Sequence, residues 1–301
     1  MKNFIVSTDS CVDLHKSYLE KHGVYYIIMK RVLNGKEVGE IFNSEKEFDA
    51  FYEALKKGAK PTTVAINPFE LEEHFKKILA KEKTGDIIHI PLSSGLSVTC
   101  ENAIKVAEQM NKTLTNRKIY IIDSLLATGG MDMHVDELIA LRDAGKTTKE
   151  AVKQIETIRD RQQAWVIMSD LFHLRRGGRI SGVKATIGTI LNIKPIIIVN
   201  HKGKLVIENK MRGTANAINY LLSKLETLGE KALPDFLDKT VYVMRTSSNP
   251  MFDELVAAIK KKYPGIKLKQ GIVGPIIGTH LGCGGAAVVF QGAKRLEISD
   301  K

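Results

Sequence analysis

The sequence predicts a two-domain α/β protein, with a mostly parallel sheet flanked by helices in the first half and a mixed α/β domain in the second. The chain has 301 residues, whereas one domain usually holds about 100–200. Short apolar runs alternate with helical patterns as far as residue 162, which is typical of a parallel sheet. Beyond that point two β-rich runs share a short polar turn, which indicates an antiparallel hairpin.

The elements of the first half follow from the spacing of apolar residues. Strands are predicted over residues 4–6, 25–29, 86–90 and 118–122. Helices are predicted over residues 44–57 and 68–82, from the turn at 91–95 through about residue 110, and over 131–144 and 148–162. Asn34-Gly35 marks a turn.

The pattern of apolar residues changes in the second half, where β-rich runs lie next to one another. A hairpin is predicted over residues 193–200 and 204–210, followed by a helix over 214–228, a strand over 240–245, a helix over 251–262 and a strand over 267–273. We expect domains at 1–162 and 163–301, with the glycine-rich segment 274–290 packing back toward the first domain.

Composition excludes several classes of protein. Charged residues make up 26% of the chain and hydrophobic ones 44%, the balance of an ordinary globular protein. Apolar runs reach only a handful of residues, whereas a bilayer span needs about 20. Only three apolar residues precede the first polar cluster, too few for a signal peptide, so we expect a cytoplasmic protein. Three distant cysteines and scattered histidines predict neither a disulfide framework, a metal site nor a cofactor.

The net charge of +11 favours anionic partners. Nucleic acid, anionic lipid headgroups and phosphorylated ligands all fit this charge. A nucleic-acid-binding protein is not expected, because the sequence contains no helix-turn-helix and no RNA-binding signature.

Polar side chains follow three predicted strands, at Ser7-Thr8-Asp9, Ser93-Ser94 and Asp123-Ser124. Ligands bind beyond the carboxyl ends of strands in open parallel sheets, so these groups are expected to line one crevice. The alternative is that each group only caps a following helix.

Two of the hydroxyl-bearing motifs suit an anion. The turn at residues 93–97 places small residues before a helix, where free backbone N–H groups and the helix dipole favour a phosphate or carboxylate. Thr62 and Thr63 follow Pro61 in a predicted loop, and their hydroxyls can donate to a ligand oxygen. The alternative for Thr62 and Thr63 is a simple turn before a helix.

Two glycine-containing segments hold the remaining candidate binding residues. Arg175, Arg176 and Arg179 flank a Gly-Gly pair, which suits either a phosphate or charged partner, or a plain basic surface loop. His280 lies in a run dense in glycine at 274–285 and can donate a hydrogen bond to a carboxylate.

Seven motifs appear in order along the chain, and together they are more specific than any one of them. They are Ser-Thr-Asp-Ser at 7–10, Pro-Thr-Thr at 61–63, Ser-Ser-Gly-Leu-Ser at 93–97, Ile-Asp-Ser at 122–124, Leu-Arg-Arg-Gly-Gly-Arg-Ile-Ser at 174–181, Lys-Pro-Ile at 194–196 and Gly-Pro-Ile-Ile-Gly-Thr-His at 274–280. This set resembles the DegV family of bacterial fatty-acid-binding proteins, which includes the FakB carriers.

The resemblance implies a lipid-binding carrier with a long-chain fatty acid in a tunnel between two domains. It implies that Thr62 and Ser94, with the adjacent hydroxyls of Thr63 and Ser93, bind the fatty-acid carboxylate beside His280. It also implies that a separate fatty acid kinase, and not the carrier, makes an acyl phosphate. Arg175 and Arg176 are then expected to contact the kinase or an anionic membrane surface.

The chain departs from the family pattern after three of these motifs, at residues 64–68, 98–100 and 281–284. These positions bear on acyl-chain preference more than on carboxylate binding. A phosphotransferase or hydrolase that acts on a small phosphorylated substrate is the alternative function.

Overall fold

The structure, a computed structural model, describes residues 3–39, 41–180, 192–295 and 297. It has the predicted class, with a parallel sheet in the first half and a mixed sheet in the second. Ser181 and Gly182 of the arginine motif lie outside the described residues. The described helices are all too short or too polar to span a lipid bilayer.

The first half contains a parallel sheet, a small antiparallel sheet and the helices that cover them. Its elements are β1 (Phe4–Asp9), α1 (Lys16–Lys21), β2 (Tyr25–Ile27), β3 (Lys30–Leu33), β4 (Lys36–Val38), α2 (Glu45–Lys56), β5 (Thr62–Val64), α3 (Pro68–Lys81), β6 (Asp86–Ile90), α4 (Thr99–Asn111), β7 (Ile119–Ile121), α5 (Gly129–Asp143) and α6 (Thr148–Arg159).

The parallel sheet has the strand order β2-β1-β6-β7. Its central strands, β1 and β6, are almost entirely buried, as expected for strands with helices on both faces. The core beside them includes Phe4, Leu71, Phe75 and Leu138, none of which has measurable exposure. The carboxyl ends of β1, β6 and β7 lie at one edge of the sheet because all three strands are parallel.

The small sheet, of order β4-β3-β5, was not predicted. Asn34 and Gly35 both have positive φ and join β3 to β4 in a two-residue hairpin, so the predicted turn is confirmed. β5 pairs with the other edge of β3, with Arg31 opposite Thr63. The segment predicted as a loop is therefore a strand, and adjacent residues of a strand point to opposite faces.

The second half forms the mixed sheet. Its elements are β8 (Gln162–Ile167), α7 (Phe172–Gly177), β9 (Ile193–Val199), β10 (Leu205–Arg212), α8 (Thr214–Lys224), a π-helical segment (Leu225–Glu230), a 3₁₀ turn (Phe236–Asp238), β11 (Thr240–Arg245), α9 (Pro250–Lys262), β12 (Lys267–Ile272), α10 (Pro275–Leu281) and β13 (Ala286–Gln291).

The six strands have the order β10-β9-β8-β13-β11-β12. β9 and β10 form the predicted hairpin, and Gly203 takes the positive φ of its turn. Trp165, Phe236 and Phe290 are buried in the core on one face of this sheet.

The expected domain boundary falls at the first residues of β8. Within the segment 274–290, α10 contacts α2, β3 and β5 of the first half. β13 instead lies between β8 and β11 in the second sheet. The chain thus returns to the first half with one short helix and then closes the second sheet.

Candidate functional site

The described residues enclose a small cavity of about 50 Å³ at the junction of the two halves. Most of its wall is aliphatic, and a few polar side chains lie among the apolar ones. The lining residues are Met29, Thr63, Ala65, Leu92, Leu96, Ser97, Arg179, Leu205, Ile276, Ile277, His280 and Leu281. A mostly apolar wall with a few polar groups is the usual composition of a small-molecule site.

The central polar contact of the cavity joins residues of two motifs that lie 217 positions apart in the chain. The Thr63 hydroxyl and His280 Nε2 form a hydrogen bond of 2.8 Å. Nδ1 of the same imidazole is buried and has no hydrogen-bond partner among the described residues. Burial, followed by the positive charges of Arg179 and Arg176, lowers the pKa of His280 to about 4. The imidazole is therefore neutral near pH 7.

The glycine pair at the end of α7 lies next to this contact, shortly before the cationic side chain of Arg179. Gly178 takes the left-handed conformation that ends α7. A Cβ on Gly177 would lie 2.2 Å from His280 Nδ1, so only glycine allows α7 to come this close. Arg179 then lines the cavity as the one permanently charged side chain among its described lining residues. Its guanidinium also donates to Gly177 O.

The structure brings together two of the five residues expected to bind a carboxylate, Thr63 and His280. Thr62 and Ser94 are exposed and do not line the described cavity. For Thr62 the reason is the alternation of β5, which directs Thr63 inward and Thr62 outward. Ser93 is buried, and its hydroxyl donates to Gly203 O at 2.8 Å. Ser93 therefore connects the two halves of the chain.

The backbone amides of the 93–97 turn already have partners within the protein. Ser94 N donates to Asp123 Oδ1, and Leu96 N and Ser97 N donate to Ser93 O. α4 begins only at Thr99. The expectation of free N–H donors at a helix start was wrong for these residues, because the turn is closed on itself before the helix begins.

Ser97, the third serine of that motif, lines the cavity and was missed in the choice of candidates. Its hydroxyl lies 3.0 Å from the Thr99 hydroxyl. Thr99 Oγ1 in turn accepts from Ile66 N, shortly after β5. This short network fixes Ser97 near the strand that carries Thr63.

The polar groups at the end of β1 are structural. Thr8 donates to Ile90 O, and Asp9 accepts from Cys11 N and Leu92 N. The Ser7 hydroxyl lies within hydrogen-bonding distance of His74 and His89. These side chains hold β1 to β6 and to the following turn, so they do not line a common crevice.

The expectation of an open loop was wrong for Arg175 and Arg176, because both lie in α7. Arg176 Nη2 donates to Pro61 O at 3.3 Å and to Thr279 O at 3.5 Å. Arg176 therefore ties α7 to β5 and α10. Arg175 is exposed, and Phe172, one turn earlier, has 58% of its surface exposed.

No group of three or more His, Cys, Asp or Glu side chains within the described ranges is placed to hold a metal ion.

The sequence model of the DegV family, a family described as uncharacterised, matches residues 3–292 of this chain. The chain belongs to the DegV family. The resemblance inferred from the seven motifs is thereby confirmed.

Similar DegV proteins come from several bacteria. A DegV domain-containing protein of Lactococcus lactis is 32% identical, and the match covers 98% of this chain and 99% of that protein. A DegV domain-containing protein of Clostridium perfringens is 29% identical, with 97% and 98% covered.

Solved structures share the DegV fold along nearly the whole chain. DegV from Bacillus subtilis, a fatty acid binding protein, is 25% identical with a TM-score of 0.79, covering 97% of this chain and all of its own. A fatty acid binding DegV family protein from Streptococcus agalactiae has a TM-score of 0.82 at 21% identity, covering 98% and 100%.

Proposed function

We propose that this DegV protein binds a long-chain fatty acid between its two halves, with the carboxylate beside Thr63, Ser97, His280 and Arg179. The observation that carries the proposal is the Thr63–His280 hydrogen bond at the wall of a mostly apolar cavity. The fatty acid binding named for the B. subtilis relative supports the choice of ligand.

The acyl chain supplies most of the affinity. Burying about 15 methylenes at roughly 0.8 kcal/mol each contributes on the order of 10 kcal/mol before the costs of ordering. The polar groups add orientation, because they offer hydrogen-bond donors and a positive charge at only one place in the wall.

Binding requires the cavity to open. The cavity between the described residues has a volume of about 50 Å³, whereas sites that enclose a drug-sized ligand measure about 300–1,000 Å³. Leu92 and Ile276 belong to one packed apolar core in this structure, and Leu96 and Ile277 pack against that core. They separate when an acyl chain enters.

His280 changes its charge preference on binding. In the closed cavity its pKa is low because burial and two arginines disfavour the imidazolium. A carboxylate placed beside it favours the charged form and raises the pKa again. In either state His280 offers an N–H group to the ligand or to Thr63.

The proposal makes the protein a cytoplasmic carrier without catalysis of its own, which presents the carboxylate to a separate fatty acid kinase. It loads its fatty acid at an anionic membrane surface. Phe172 and Arg175 support such a contact, because an exposed aromatic ring and an exposed cation share α7 beside Gly177 and the cavity. Arg176 supports it indirectly by holding α7 in place.

Native mass spectrometry of protein purified from cells tests the ligand. We expect a copurified fatty acid of defined mass, and the Thr63→Val/Ser97→Ala variant should lose most of it. The adjacent Thr62→Val/Ser94→Ala variant is the matched control and should keep it.

A greater loss from the control than from the Thr63/Ser97 variant would move the carboxylate to Thr62 and Ser94. Purified protein without fatty acid that turns over a phosphorylated substrate would instead favour the phosphotransferase or hydrolase.

Exchange with anionic vesicles tests the docking surface. Phe172→Ser and Arg175→Glu should leave lipid content intact but slow exchange and transfer to the kinase, with the Arg175→Glu effect fading at high salt. Lys260→Glu, on the distant helix α9, makes the same change of charge and should have no effect. Equal rates for all variants at low salt would exclude α7 as the docking element.

A further inference from the structure

Two buried carboxyl groups meet where the first half of the chain contacts α10. Asp13 and Asp132 are 8% and 3% exposed. Asp13 N donates to Asp132 Oδ1 at 2.8 Å, and Asp13 Oδ1 accepts from Gly274 N at 2.7 Å. Asp13 Oδ2 has no hydrogen-bond partner among the described residues.

The Asp13–Gly274 bond places this pair at the start of the helix that forms the cavity wall. Gly274 is the residue before α10, and α10 carries Ile276, Ile277 and His280 into the cavity. The Tyr52 hydroxyl donates to Val273 O, immediately before. The position of α10, and with it of His280, therefore depends on two side chains of the first half.

We propose that Asp13 is a positioning residue, which holds α10 and keeps the fatty-acid cavity closed while its own carboxyl group carries a proton. Loss of that proton loosens α10 and speeds exchange of the fatty acid. The inference rests on the proposed function.

The donors around the pair can hold one negative charge but not two. Gly274 N donates to Asp13, whereas Asp13 N donates to Asp132 and the Leu14 amide also favours the Asp132 carboxylate, so Asp132 is the group that holds the single charge. A second charge would leave Asp13 Oδ2 as an unsolvated anion next to another carboxylate. Since such a charge is costly away from water, the pair either keeps its proton or draws water in by moving α10.

Burial and mutual repulsion favour the protonated pair. Burial, then the charge of Asp132, raises the pKa of Asp13 well above its usual range. Burial is also the main reason that the pKa of Asp132 rises to about 7. For a carboxyl group whose pKa is raised, the stabilisation is present at low pH and is lost as pH rises through the folded-state value.

The charged neighbours do not supply a full counter-charge to Asp13. Asp9 at the end of β1, Cys11 in the following loop and the Tyr52 phenol of α2 are acidic groups and offer Asp13 no positive charge. On α5 and β12, Asp136 raises and Lys269 lowers the pKa of Asp132. Lys269 is itself paired with Asp136.

A groove of about 390 Å³ lies beside the pair and offers a route for protons, although Asp13 Oδ2 itself is covered. Both carboxyl groups line it, together with other titratable side chains from α1, β11 and β12. These are His15, Tyr18, Lys21, Tyr242 and Lys269.

Release of a fluorescent fatty acid into excess vesicles measures the effect. For the unchanged protein we expect release to accelerate about tenfold between about pH 7, where Asp132 already ionises, and about pH 10, as the more strongly shifted Asp13 also loses its proton. Asp13→Asn keeps an acceptor for Gly274 N and an N–H group toward Asp132 without a titrating proton, so its release should be slow at both pH values. Asp13→Ala should release quickly at both, and Asp253→Asn on the surface of α9 should match the unchanged protein.

Hydrogen exchange of the α10 amides at the same pH values provides a readout that does not need ligand. A lower protection factor for the α10 amides at high pH, after correction for the intrinsic base catalysis of exchange, supports the tether if Asp13→Asn abolishes it. This holds even if no fatty acid binds, in which case only the proposed function fails. An Asp13→Asn variant that keeps the pH dependence of the unchanged protein would overturn the inference. Release rates and α10 protection factors that do not vary with pH in the unchanged protein would overturn it equally.

Discussion

The cavity and the core of the parallel sheet contain nearly the same contact between a hydroxyl group and an imidazole. Thr63 and His280 lie 2.8 Å apart, and so do Ser7 and His74. Burial lowers the pKa of both histidines to about 4. Distance and pKa are thus alike at the two places, yet one contact lines a cavity and the other supports a sheet.

The difference lies in how many partners each hydroxyl has. The Ser7 hydroxyl is shared between His74 Nε2 and His89 Nδ1, at 2.8 and 2.9 Å. Since a hydroxyl has one proton, it donates to one ring and accepts from the other. The Thr63 side chain bonds only His280 among the described residues. Its remaining hydrogen-bonding capacity faces the cavity and is available to a ligand.

Removal of each hydroxyl should show most clearly that the Ser7 contact supports stability, whereas the Thr63 contact supports ligand binding. Ser7→Ala leaves two buried imidazole nitrogens without partners and should cost roughly 1–3 kcal/mol for each in the free energy of unfolding. Thr63→Val should cost less stability and should reduce the fatty acid retained. Urea denaturation and native mass spectrometry on both variants provide the measurements. A Ser7→Ala protein of unchanged stability, or one that selectively loses lipid, would remove the distinction.

Acid should act on the two contacts in different ways. Both histidines have a lowered folded-state pKa, so below their ordinary value of about 6.5 the unfolded chain binds protons that the folded chain does not. Stability is therefore lost as pH falls from about 6.5 to about 4. A bound carboxylate raises the pKa of His280 and so reduces only the part that His280 contributes.

Denaturation at about pH 7 and pH 5, with and without palmitate, tests this prediction. His280→Gln should remove the ligand-sensitive part of the acid effect, and His74→Gln should reduce the acid effect by the same amount with and without palmitate. If palmitate protects His280→Gln from acid as well as it protects the unchanged protein, another group is responsible.

The smallest expected effect comes from the glycine pair beside His280. Gly177→Ala places a Cβ against the imidazole and should displace His280, with a several-fold loss of retained fatty acid. Gly178→Ala meets no atom within 4 Å but keeps a positive φ, so it should cost about 1 kcal/mol of stability and leave retention intact. Equal retention in both variants would show that His280 tolerates displacement.

The longer elements could be predicted from sequence because their apolar spacing is unambiguous. β6 and β11 have the predicted bounds, and the hairpin of β9 and β10 follows from its turn. β5 could not be recognised, because three residues are too few to show alternation. For that reason the sequence does not indicate that Thr63 points into the protein, although it does single out the Pro-Thr-Thr motif.

Which residues form the site depends on contacts between distant parts of the chain, and a local sequence pattern does not predict such contacts. Thr63 and His280 are 217 positions apart in the chain, and only the packing of α10 against β5 joins them. Ser97 and Ser94 have the same chemistry in one motif, and the closed turn decides which of them faces the cavity. Arg176 belongs to a basic motif of the kind that is common on protein surfaces, yet its guanidinium donates to two backbone carbonyl groups.

The position of β13 has a consequence for synthesis of the chain. β13 lies between β8 and β11 but is made after both of them. A ribosome-bound chain that stops before residue 286 leaves β8 and β11 with open edges, which are templates for wrong pairing. The second half therefore completes its sheet only after β13 has been translated. Chains truncated in that region are expected to depend on chaperones and to be degraded quickly.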